Sequence, residues 1–190
     1  ILYIYIYIMS QCYLNKPQWL PDKWNNLHPD DLKITNCYSY AFNRVEKNYS
    51  SENTHKPQPG ELSNSSLNNR SCNNIIKNVE DDLNIKLEET SLTSPIKCNH
   101  YRIAIVLDNS GEYKDYHFYR QDSDGLWSHK QGKGKVKRFD ASTNLIYDPK
   151  RANRNYSKDD KRDKYNYDIF CGYFSVPYNN RVFLDNDKIP

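Results

Sequence analysis

Residues 116–130, "YHFYRQDSDGLWSHK", decide the fold. Two aromatic-rich runs flank Asp122-Ser123-Asp124-Gly125, a cluster of turn formers, and that pattern predicts a β-hairpin with strands over 116–121 and 126–131. Side chains alternate along a strand, so His117, Tyr119 and Gln121 share a face. Two registers are open for the partner strand. A three-residue loop, Ser123 to Gly125 with Gly125 in the left-handed region, sets His129 opposite Tyr119 and on the face of His117. A two-residue loop, Asp124-Gly125, sets His129 opposite Arg120, on the other face.

Outward from the hairpin, "YRIAIVLD" (101–108) and "DIFCGYFSVP" (168–177) read as buried strands, and "NLIYDP" (144–149) as a short strand stopped by Pro149. Helical signals come earlier. "TNCYSYAFNRVEK" (35–47) predicts a helix capped by Asn36 or Thr35, with Tyr38, Ala41, Phe42 and Val45 on one face. Ile75, Ile76, Val79 and Leu83 form a second helical stripe, running from Ser71 to Leu83. Residues 10–33, with Pro17, Trp19, Pro21, Trp24 and Pro29, read as an irregular arm packed through its aromatics. Residues 46–70, with "KPQPGE" at 56–61, read as extended or turning chain, and 150–166 as a solvated loop. Helices followed by strands predict an α+β domain, with N-terminal helices packed on an antiparallel β-sheet.

The 190 residues suit one domain, expected over 10–190. The opening "ILYIYIYIM" is about half the length of a membrane-spanning helix and lacks the parts of a signal peptide. The expectation is an upstream or disordered segment over 1–9, with translation starting at Met9; a β-strand of alternating Ile and Tyr is the alternative. Only 37% of residues are hydrophobic, and 17 are Tyr, a bias that A/T-rich codons produce without help from function. Lys and Arg number 27 against 24 Asp and Glu, so the net charge of +3 demands no nucleic-acid partner. The five cysteines, at 12, 37, 72, 98 and 171, form no CxxC and are odd in number. They predict reduced thiols in a cytoplasmic or other reducing compartment, with secretion not excluded, and Cys171 as a core residue.

One constellation can do chemistry. Cys37 lies in the first turn of the predicted helix, where unpaired N–H groups and the helix dipole favour a thiolate. A thiolate nucleophile needs a base and a group that orients the base. His117 and then His129 follow on successive strands. If the second register holds, Gln131, Asp140 and Asn144 are the reserve orienters, Asp140 foremost because a carboxylate stabilises an imidazolium.

The run "NCYSYAF" and the twelve-residue step from His117 to His129 in "HFYRQDSDGLWSH" resemble the papain-like NlpC/P60 and CHAP cysteine hydrolases. The resemblance covers about a quarter of the chain and departs from the family at D-C-S-G-F and H-V-G. It implies a papain-like fold, with Cys37 as nucleophile, His117 as base and His129 as orienter. It also implies a peptidase or amidase acting on a peptide-type amide or ester, such as a cell-wall peptide or peptidoglycan-like substrate. Neither metal nor organic cofactor is required by that chemistry, and no membrane or nucleic-acid partner. The block also resembles uncharacterised bacterial and viral proteins.

Blander readings stand beside this one. The same fold can be a catalytically inactive binding or structural module. Cys98 and His100 with His117 and His129 could bind zinc, at a spacing that matches no standard finger. The basic run "HKQGKGKVKR" (129–138) could bind phosphate or RNA backbone, and otherwise reads as a solvated loop.

Overall fold

The computed structural model describes residues 16–46, 55–65, 70–109, 114–157 and 165–178. The segments 1–9 and 47–54, and the most charged part of the 150–166 loop, lie outside the described residues. Among the described residues four helices precede six strands: α1 (Pro21–Asn25), α2 (Pro29–Ile34), α3 (Cys37–Ala41), α4 (Cys72–Leu83), then β1 (Glu88–Thr90), β2 (His100–Asp108), β3 (Asp115–Gln121), β4 (Trp127–Lys130), β5 (Val136–Lys137) and β6 (Ile169–Pro177). The strands form one sheet in the order β1-β6-β2-β3-β4-β5, every neighbouring pair antiparallel. The fold class is α+β, as the order of helical and strand signals predicts.

Both faces of the sheet are covered, which is why β2 reads as a continuous apolar run rather than an alternating one. Ile103, Ile105 and Leu107 of β2 pack with Phe118 and Phe174 beneath Cys37, Tyr38 and Phe42 and beneath Ile75, Val79 and Leu83 of α4. Ala104 and Val106 face the other way, with Tyr119, Trp127, Ile146, Tyr156, Tyr167 and Tyr173. A smaller cluster joins Trp24 to Tyr40 and Val136.

The helices begin where local chemistry predicts. Ser71 caps α4 by accepting from the N–H of Asn74, and Asn84 ends it in the left-handed conformation. The arm over residues 16–33 is more regular than its composition suggests. Pro21 and Pro29 each start a short helix, because proline has the helical φ and lacks an N–H that the first turn could not use. The helix expected over 35–47 is a single short turn, closed by Phe42 and turned aside at Asn43 with φ 58°.

Three further expectations need correction. "NLIYDP" forms no strand, only the bridge between Phe139 and Leu145. The Asp140 carboxylate draws the intervening chain into a turn by accepting from the N–H groups of Ser142, Asn144 and Asn153. The basic run is not simply a loop: His129 and Lys130 are buried in β4, and Val136 pairs back against Lys130. The cysteines are not all reduced. Cys72 and Cys171, 99 positions apart in sequence, are joined in a disulfide with Cα atoms 5.3 Å apart, and Cys98 is disulfide-bonded as well. Cys171, half-buried rather than core, lies where β6 bulges: Ile105 pairs with Gly172 and Val106 with Phe170.

The arm is fastened to the hairpin by buried charge. The Asp122 carboxylate accepts from Arg120 at 2.8 Å and from Arg138 at 3.0 Å, with no exposure of its side chain. Arg120 also donates to the Tyr40 hydroxyl of a neighbouring turn at 2.8 Å and to Asn43, and it stacks over the Tyr40 ring at 4.1 Å. Arg138 lies over Trp19 and forks onto Asp124. Planar guanidiniums satisfy the paired carboxylate and the rings at once.

Candidate active site

Cys37 opens α3. The Asn36 side chain accepts from the N–H of Ser39 at 3.0 Å and donates to the carbonyl of Pro57 at 2.6 Å, so the cap also holds the 56–60 segment beside the thiol. That segment is fixed in turn by Asp82, which accepts from the N–H of Gly60 and of Ser63 and from the Tyr38 hydroxyl. Gly60 has φ 97°, and a Cβ there would fall 2.6 Å from the Asn78 side chain, so only glycine fits.

The hairpin has the three-residue loop. Arg120 pairs with Ser128 and Gln121 with Trp127, Asp122 N–H donates to the Leu126 carbonyl at 2.9 Å, and Gly125 has φ 88°. That register brings His129 to the face of His117. Their rings meet edge to face, with His117 Nε2 2.8 Å from His129 Nδ1. The other nitrogen of His129, Nε2, lies 3.0 Å from the Phe139 carbonyl. A carbonyl can only accept, so His129 carries its proton on Nε2 and accepts at Nδ1. His117 therefore carries its proton on Nε2 and keeps the Nδ1 lone pair. Its ring stacks on Tyr167 at 5.2 Å between centroids.

Both rings are neutral at ordinary pH. Burial, then the neighbouring His129, holds His117 well below the usual histidine range, and burial brings His129 down to about 4 against the opposing pull of the Phe139 carbonyl. Burial also pushes the Cys37 thiol up to about 12, and Asp115 adds to it. The N–H groups of Phe118 and Tyr38, which reach the sulfur, and the ammonium of Lys130 act in the other direction. Burial thus works against the expected helix-stabilised thiolate. A helix of five residues has little dipole, and desolvation outweighs it.

Cys37 and His117 line one cleft of about 680 Å³, together with Lys56, Gln58, Asp115, Gln131, Lys133 and the rings of Tyr156, Tyr165 and Tyr167. They reach it from different packing clusters. Cys37 belongs with Phe118 and His117 with Tyr119 and Tyr167, and no hydrogen bond joins thiol to imidazole among the described residues. Of the reserve orienters, Gln131 lines the cleft and accepts from Lys137, while Asp140 and Asn144 serve the turn after Phe139. Cys98, held in a disulfide, supplies no thiolate for zinc, and the described residues contain no metal-binding group of three His, Cys, Asp or Glu side chains. No described helix is long and apolar enough to cross a membrane.

Two contributors have no signal in the sequence. Lys130 is buried beside the site, its ammonium donating to the carbonyls of Leu32 at 2.9 Å and Gly132 at 2.7 Å, and burial lowers its pKa to about 8. Asp115 accepts from the Tyr167 hydroxyl at 2.7 Å, and burial raises its pKa. A lysine within a basic run and an aspartate at a strand start carry no local mark of burial.

No family model matches the sequence, and no solved structure does. Among curated proteins the chain is similar to insoluble matrix shell protein 1 of Ruditapes philippinarum. The two are 33% identical over 135 residues, which cover 70% of this chain and 79% of that protein.

Proposed function

The chain belongs to the family of insoluble matrix shell protein 1, and we propose from its cleft that it is an extracellular thiol hydrolase of papain-like type, a peptidase or amidase acting on a peptide-type amide or ester. The observation that carries the reading is the His117–His129–Phe139 relay beside a thiol in the same cleft. The relay holds His117 in the tautomer a base needs, with Nε2 donating and Nδ1 able to accept.

In this mechanism Cys37 Sγ attacks the carbonyl carbon as its proton passes to His117 Nδ1. The thiol and the imidazole are both neutral at rest, so proton transfer accompanies attack instead of preceding it. The Cys37 backbone N–H is one donor for the developing oxyanion. The tetrahedral intermediate collapses when the C–N or C–O bond breaks and the imidazolium gives its proton to the leaving group. Water, deprotonated by His117, then hydrolyses the thioester and restores the thiol. His129 stabilises the imidazolium by accepting from Nε2–H throughout. Secretion fits the Cys72–Cys171 disulfide, since such bonds persist in oxidising compartments.

A second reading has its own support. The relative is named as a shell matrix protein, and Cys37 is only 7% exposed without a bond to His117. On that reading the chain is a catalytically inactive structural or binding module of the matrix.

The two readings part in one experiment. The protein and its Cys37→Ala variant are incubated with a diverse peptide library, and new termini are identified by mass spectrometry. Termini made by the native chain, absent with Cys37→Ala and strongly reduced with His117→Ala, are the expected outcome. A native profile indistinguishable from that of Cys37→Ala refutes the hydrolase and leaves the matrix module.

A further inference from the structure

We propose that the Gly132 end of the cleft is a subsite for a carboxylate side chain, so that the protein takes acidic peptides, rich in Asp or Glu, with the acidic residue beside the bond presented to Cys37. The inference names a substrate class for the hydrolase reading and rests on it for the cleavage step. The binding half stands on the cleft alone.

Two ammonium groups, of Lys56 and Lys130, lie at Gly132, and a third lysine, Lys133, lines the same cleft. Lys56 and Lys133 line the cleft, and Lys56 Nζ lies 3.6 Å from where a Gly132 Cβ would be. Lys130 donates to the Gly132 carbonyl from below. Like charges so close repel, and Lys56 already opposes the charge on Lys130. Lys130 is satisfied by two carbonyls, but Lys56 and Lys133 have no carboxylate within ion-pair distance among the described residues. The acid that does line the cleft, Asp115, is engaged by Tyr167. Gly132, without a side chain and at φ 43°, leaves the approach between the two lysines open. An incoming carboxylate would relieve the repulsion and gain charge-assisted hydrogen bonds in a partly enclosed space. The tyrosines that line the same cleft offer flat, amphipathic surface for the peptide backbone.

The test is fluorescence-anisotropy titration of a labelled aspartate hexapeptide and its asparagine counterpart against Cys37→Ala protein, which cannot turn the probe over. The aspartate peptide is expected to bind and the asparagine peptide to bind far more weakly. Adding Lys56→Gln and Lys133→Gln should weaken aspartate binding by about tenfold or more. The charge-matched pair Lys77→Gln and Lys135→Gln, outside the cleft, should change it by less than about twofold. Equal weakening by both pairs, or no preference for aspartate, overturns the proposal. Cleavage of the same peptides by the native chain is scored separately. Lysine-dependent binding without cleavage sinks the hydrolase reading and keeps the acidic subsite; cleavage indifferent to the two lysines does the reverse.

Discussion

At the scale of single residues, the histidine pair makes a prediction with a definite sign. Both rings ionise less readily in the folded chain than in the unfolded one, His129 at about 4 against an ordinary 6.5. Between those values the unfolded state binds more protons, so stability is fully present above about pH 7 and is lost as pH falls through the window. Each tenfold difference in proton affinity between the two states is worth roughly 1.4 kcal/mol. Asp115, raised by burial, works in the opposite sense, and a variant comparison removes its contribution. Melting temperatures of the native chain and of His129→Gln from pH 4.5 to 7.5 measure the difference. The native chain should lose more on acidification, and parallel curves would contradict buried neutral rings. The thiol gives a second prediction. With Cys37 at about 12, iodoacetamide labelling should be slow at neutral pH and still climbing at pH 9, with no plateau. A plateau near neutrality would mean an activated thiolate.

At the scale of elements, the hairpin is held at its turn and at its base. Asp122 sits buried between two guanidiniums, so Asp122→Ala leaves the buried Arg120 without a carboxylate, strips Arg138 of one of its two, and should cost on the order of 3–5 kcal/mol in urea unfolding. The exposed helical pair Lys77–Asp81 is the contrast: Asp81→Ala should cost no more than about 0.5 kcal/mol. Equal costs would mean that Asp122 only decorates the turn. Much at this scale was legible in the sequence. Strands 101–108, 116–121 and 168–177 and the Ser71-capped helix emerge within a residue or two, because apolar period and cap chemistry are local. The loop length of the hairpin was not legible, since both registers use the same turn residues. Packing decided it, by placing His129 among Tyr119, His117 and Tyr156.

At the scale of the whole molecule, the Cys72–Cys171 bond ties α4 to β6 and closes a loop spanning 99 positions. In the chain-entropy account a loop of that size is worth about 4–5 kcal/mol through the unfolded state. Cys72→Ser with Cys171→Ser should lower the urea midpoint accordingly. Added reductant should shift the native chain toward the double variant and leave the variant less affected. A double variant as stable as the native chain would show that the sheet alone holds the two segments.

The order of residues was enough to specify the class of the fold, the starts of the helices at Cys37 and Cys72, and most of the strands. Each of these follows from neighbours a few positions apart. Packing in three dimensions was needed to fix which cysteines pair, that Lys130 and Asp115 are buried beside the thiol, that burial disfavours ionisation of the thiol and of both imidazoles, and that Lys56 lies beside Lys130 and Lys133 of the basic run at Gly132. Those properties depend on desolvation and on contacts between residues up to about a hundred positions apart, and neither leaves a periodic or local trace along the chain.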